Sequence, residues 1–120
     1  MAYRVVNETR GKVLGTQVGL ADRFWSRLRG LIGKKELEPG EGLILVPCRG
    51  VHMYGMTYPI DVAFADREGE IVALYRELAP GARTKMHTGA RSAVELPPGT
   101  LAETGTMIGD RLAWRPEAGE

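Results

Sequence analysis

The chain has 120 residues, enough for one domain with one core and too few for two comfortable ones. Apolar residues make up 43% and charged residues 26%, a globular balance that excludes a disordered or fibrous chain. A net charge of +1 gives no global attraction to nucleic acid or membrane, and no apolar run is long enough for a transmembrane helix.

With 16 Gly and 7 Pro, frequent turns and short strands are expected over many helices. A single cysteine permits no internal disulfide, and no basic lead-in followed by an apolar stretch opens the sequence, so the expected location is the cytoplasm. Residues 3–6 read as a first strand and residues 11–15, closed by glycines, as a second. Residues 20–32 read as the one helix: Leu20, Phe24, Trp25, Leu28, Leu31 and Ile32 make one apolar stripe, Asp22 suits the start and Gly33 the stop.

Residues 43–46 are an apolar run between turn residues, and 51–56 a further extended piece. Residues 60–65 and 70–77 flank Asp66-Arg67-Glu68-Gly69, a hairpin signal. In the first of these strands Ile60, Val62 and Phe64 share one face; Asp61, Ala63 and Ala65 share the other, flat enough for the 20–32 helix to lie on. After a loop at 79–89 comes a strand at 92–96 ended by Pro97-Pro98-Gly99, and Gly109-Asp110 turns into a last strand at 111–115. The expected fold class is α+β, mainly β: a single domain over 1–120, a small antiparallel sandwich or partly open barrel with one covering α-helix.

The chemically rich stretch is CRGVHMYGMTYPID, residues 48–61. Extended geometry sends Val51, Met53 and Gly55 one way and His52, Tyr54 and Met56 the other, while Asp61 follows a Tyr-Pro step and could fix the His52 tautomer. The plainer account is that His52 and Asp61 satisfy backbone or each other. A nucleophile reading pairs Cys48 with His52 as base and Asp61 as orienter, but no helix N-terminus or oxyanion element follows Cys48. A soft-metal reading gathers Cys48, His52, Met53, Met56, Met86 and His87 for Cu(I), although neighbours on a strand face opposite sides. Arg23, Arg27, Arg29, Lys34 and Lys35 form a basic cluster that Glu36, Glu38 and Glu41 balance, which keeps a nucleic-acid reading weak.

Three runs, SRLRGLIGKKELEPGEGLIL, VHMYGMTYPIDVAFADREGEIV and ARSAVELPPGTLAETGTMIGDRLAW, together resemble the domain of unknown function 192 family from about residue 16 to residue 114. The most specific parts are the Arg-Gly-Leu helix end, the His-x-x-Gly-Met-x-x-Pro-Ile-Asp run and the terminal Gly-Asp turn. The resemblance implies a compact β-rich fold with one helix and no established activity. Many relatives place Trp at the His52 position, which weakens His52 as an obligatory catalytic group. The functional expectation is a cytoplasmic, non-catalytic binding module for a small polar ligand or a peptide, with no cofactor, nucleic acid or membrane partner. Its expected ligand-binding residues are His52, Tyr54, Met56, Asp61, Arg76 and Glu95, the last either exposed or paired with Arg91.

Overall fold

The computed structural model describes residues 1–23, 27 and 30–117. One seven-stranded sheet contains β1 (Tyr3–Asn7), β2 (Lys12–Ala21), β3 (Glu41–Leu45), β4 (Ile60–Ala65), β5 (Ile71–Leu78), β6 (Ser92–Leu96) and β7 (Leu112–Pro116), in the order β5-β4-β6-β3-β2-β1-β7. It curls into half a barrel, mainly β, and among the described residues one short helix, α1 (Thr100–Thr104), can be given its bounds. Neighbouring strands are antiparallel except β2 and β3, which run parallel with Leu20 opposite Ile44. Although β5 and β7 are the two edges, they touch at one end. Ile71 N–H donates to Asp110 O at 2.8 Å, Leu112 N–H to Gly69 O at 2.8 Å and Gly109 N–H to Ile71 O at 2.9 Å. Gly69 sits at φ 86 in the hairpin turn, and any Cβ there would run into the Leu112 carbonyl, so the seam requires glycine.

The sheet is buried on both faces at its centre. All six residues of β4 and all five of β6 are buried. On one face Ile60, Val62, Phe64 and Ala93 join Leu31, Met53 and Tyr58. On the other, Ala63, Val94 and Leu96 join Val5, Val18, Ile44, Leu101 and Leu112 in the barrel interior. At about 25 cal/mol per Å² of apolar surface, these two clusters are the main favourable contribution to folding.

The helix expected over 20–32 is corrected at its start. Leu20 and Ala21 end β2, opposite Ile44 and Leu45. Leu14, Val18 and Leu20 belong to one cluster at even spacings, so a period of two continues where the apolar stripe suggested a turn of helix. Further on, Arg27 is helical and its N–H donates to Arg23 O at 2.9 Å, residues 30–32 form a turn, and residues 24–26 and 28–29 lie outside the described residues. Leu31 packs with Ile60, Val62 and Phe64, whereas the alanine face meets the barrel interior and Leu101 of α1.

The strands expected at 60–65 and 92–96 are found with those bounds, and the hairpin at 66–69 closes with Gly69 N–H on Asp66 O. In β5 the register slips: Ile60 pairs with Leu78 but Val62 with Tyr75, leaving an extra residue in a bulge where Glu77 takes φ 51. Asp61 stabilises that bulge, its Oδ1 accepting from Glu77 N–H at 2.9 Å while Oδ2 accepts from Leu101 N–H at 2.9 Å. Near β7, Asp110 Oδ2 accepts from Arg10 Nε at 2.6 Å, Asn7 Nδ2 at 2.9 Å and Met107 N–H at 3.0 Å. The Arg10 bond foremost, with Asn7 and Met107, holds the Asp110 carboxyl well below the usual carboxylate range, against a desolvation that acts the other way. Among the described residues no helix is long and apolar enough to cross a membrane.

Candidate functional site

Two loops run side by side over the face that carries Val62 and Ala93. Cys48 N–H donates to Arg91 O at 2.9 Å, His87 N–H to Arg49 O at 2.8 Å, Thr84 N–H to Val51 O at 2.9 Å and Met53 N–H to Ala82 O at 2.7 Å. This irregular ribbon keeps the alternation expected of an extended piece. Val51 and Met53 are buried, and His52 and Tyr54 are exposed. Gly55, at φ 83, then turns the chain, Met56 N–H bonds Met53 O at 3.1 Å, and Met56 is redirected onto the core. Tyr58 is buried and Pro59 leads directly into β4.

Between this ribbon and residues 30–32 lies a cleft of about 290 Å³. Its wall is apolar, with Leu31, Leu45, Val51, Met53 and Met56, while Cys48, Arg27, Arg49 and Glu95 supply the polar groups. Glu95 belongs to β6, where it stands opposite Leu43 and Val62 and so points to the cleft side of the sheet. It is 5% exposed, and its Oε1 has no hydrogen-bond partner among the described residues. Burial pushes this carboxyl up to about 7, because the anion has lost its water and gained no donor. The Tyr58 hydroxyl is likewise buried and without a partner, beside a second hollow that shares Leu31 and Met56 with the cleft. Burial, followed by the Glu95 charge, pushes the Tyr58 hydroxyl upward.

The Cys48 thiol donates to Gly50 O at 3.2 Å. Burial raises its pKa foremost and the Glu95 charge adds to this, whereas the Gly50 bond and Arg27 act the other way. That balance favours the thiol over the thiolate.

The profile of the family DUF192, described as "Uncharacterized ACR, COG1430", matches residues 5–114. The chain belongs to the DUF192 family. A UPF0127 protein of Thermococcus sibiricus is 34% identical, over 94% of this chain and 75% of its own length. A UPF0127 protein of Pyrococcus furiosus is also 34% identical, over 92% of this chain and 97% of its own. A crystal structure of a protein of unknown function from Novosphingobium aromaticivorans superposes with a TM-score of 0.80 at 22% identity, covering 93% of this chain and 83% of that one. This likeness bears on the fold alone.

The DUF192 chain brings three of the six expected residues to the cleft: His52, Met56 and Glu95. The expected pairing of His52 with Asp61 does not form. Asp61 pairs with Leu96 on the opposite sheet face and is fully buried on backbone donors, while His52 Nδ1 accepts from Tyr54 N–H at 3.3 Å and stacks on the Tyr54 ring at 5.0 Å. Tyr54 is 51% exposed and points away from the cleft lining, and Arg76 is exposed in the β5 bulge. Glu95 is neither exposed nor paired with Arg91: both sheet faces are covered at β6, so alternation with Val94 and Leu96 sends it into a second buried layer. The Cys48–His52–Asp61 arrangement fails on the same geometry.

Of the soft-metal set, Cys48, His52, Met53, Met56 and Met86 line the cleft, but His87 Nε2 is held on the Tyr75 hydroxyl at 2.6 Å. Among the described residues no three of His, Cys, Asp and Glu gather in a metal-holding group. Tyr58 was legible only as the residue before proline; its unpartnered hydroxyl had no signal in the sequence.

Proposed function

We propose that this DUF192 chain is a non-catalytic binding module whose cleft takes a small ligand that donates a hydrogen bond to Glu95. One observation carries the reading. A carboxyl oxygen lies buried at the cleft with no partner among the described residues, and buried polar groups left unmatched are uncommon because each costs about 1–3 kcal/mol. The apolar wall supplies contact area and Glu95 orients the ligand, the usual division of labour in a small-molecule site. The raised pKa of the Cys48 thiol, and its bond to Gly50 O rather than to any base among the described residues, count against nucleophilic chemistry. A cytoplasmic setting, and a partner other than nucleic acid or membrane, form part of this proposal.

A thermal-shift panel of amino acids, short peptides, sugars and small amides tests it. A ligand at a hundred times its Kd should stabilise the wild type by about 2.7 kcal/mol. The same ligand should leave Glu95→Leu unmoved. A panel that shifts neither protein would sink the reading. The four sulfur side chains at the cleft favour a second reading, a Cu(I) carrier. Titration with Cu(I) under reducing conditions separates the two, since a carrier must hold one equivalent against a weak chelator.

A further inference from the structure

Resting on that reading, we infer that the cleft is built for a small zwitterion whose ammonium end meets Glu95 and whose carboxylate end meets Arg49 and Arg27, with an apolar stretch between them. The polar groups of the lining are separated by depth. Glu95 is 5% exposed on a central strand, whereas Arg49 is exposed and Arg27 half-buried in the same cleft lining. Neither guanidinium is bonded to Glu95, whose Oε1 has no partner among the described residues. For the anionic form of Glu95, a neutral donor would satisfy one lone pair but would leave the buried negative charge uncompensated. An ammonium supplies both the donor and the counter-charge, and such charge-assisted bonds are about twice as strong as neutral ones.

A simple cation would be repelled by the two guanidiniums of the same lining and find no use for them. A ligand with a carboxylate at its far end turns that repulsion into attraction. In the same lining Leu31, Leu45, Val51, Met53 and Met56 offer only apolar contact, so the ligand must carry an apolar stretch as well as its two charged ends. Both an ω-amino acid and a dipeptide with an apolar first side chain have this chemistry.

Calorimetric titration of the full chain with 6-aminohexanoate, the dipeptide Leu-Gly, hexylamine, hexanoate and hexanamide tests the inference. At least one of the two zwitterions should bind about tenfold or more tighter than hexylamine and hexanoate, since each end adds a charge-assisted bond. The tighter of the two identifies the source class. Glu95→Gln should reduce 6-aminohexanoate to the affinity of hexanoate, and Arg49→Ala should reduce it to that of hexylamine. Because Arg49 is exposed, the second variant keeps the test intact should the first fail to fold. Hexanoate or hexanamide binding as tightly as both zwitterions, or affinities unmoved by either substitution, would overturn the inference. Glu95-dependent binding of hexanamide alone would overturn the zwitterion while leaving the proposed ligand cleft standing. No heat from any probe would overturn the zwitterion, and a blank thermal-shift panel would then remove the cleft reading as well.

Discussion

Asp61 and Glu95 sit on adjacent strands, both buried, on opposite faces of the same sheet. Asp61 accepts two backbone N–H bonds, and Asn7 and Asp110, buried on the barrel side, are equally well matched. On the cleft side Glu95 Oε1 and the Tyr58 hydroxyl have no partner among the described residues. The interior face spends its polar groups on architecture, while the cleft face leaves two exceptions where ligand atoms could bond. Burial of a carboxylate therefore says little by itself; the state of its acceptors separates a structural group from a candidate site.

Substitutions that exchange the roles of the two faces would break this contrast. Met53→Asp should unfold the chain, because an unpaired charge beneath a residue 1% exposed costs several kcal/mol against a total of about 5–15 kcal/mol. Circular dichroism would reveal it, and a native spectrum would remove Met53 from the core. Asp61→Ala should lower unfolding free energy by about 4 kcal/mol, since two backbone donors lose their acceptor. Urea titration reads this directly, and a loss below about 1 kcal/mol would mean that water replaces the carboxylate at no cost.

Glu95 predicts a pH effect of the opposite origin. Its carboxyl ordinarily titrates at 4.5 and in the folded chain at about 7, so the folded state holds more protons between those values. Stability from this group is full below 4.5 and falls as pH rises to about 7, by about 3 kcal/mol in all. Glu95→Gln, which stays neutral, should flatten this part of the stability profile; an unchanged slope would show that Glu95 ionises with ease in the fold. The smallest effect belongs to His52→Asn. An exposed ring held by one 3.3 Å bond should change stability by less than about 0.5 kcal/mol, and paired melting curves would check it.

The two faces also differ in how well the sequence revealed them. Local alternation placed Ile60, Val62 and Phe64 together, and Pro59 and the hairpin at 66–69 set the bounds of β4. Alternation held from Val51 to Tyr54 and failed at Met56, which the left-handed turn at Gly55 redirects onto the core. What failed depended on distant partners. Parallel pairing of Leu20 with Ile44 is invisible to a local stripe, and it converts an expected helix start into strand. Alternation also assigns Glu95 a side without saying whether that side is wet, and here other elements cover it. His52 and Asp61 looked like a pair because they are close in sequence, yet the turn at Gly55 and the sheet itself lie between them. Helix α1 is only five residues long and leaves almost no periodic signal, although Gly99 and Gly105 mark its two ends.

The contact between Gly69 and Leu112 bears on behaviour in crowded solution. A curled sheet has two rims of unspent backbone groups, and each invites a second copy to add a strand. Here part of each rim occupies the other, through the bonds of Ile71, Gly109 and Leu112. A Gly69→Val exchange would force the rims apart, so the chain should self-associate in light scattering at concentrations where the parent stays dispersed.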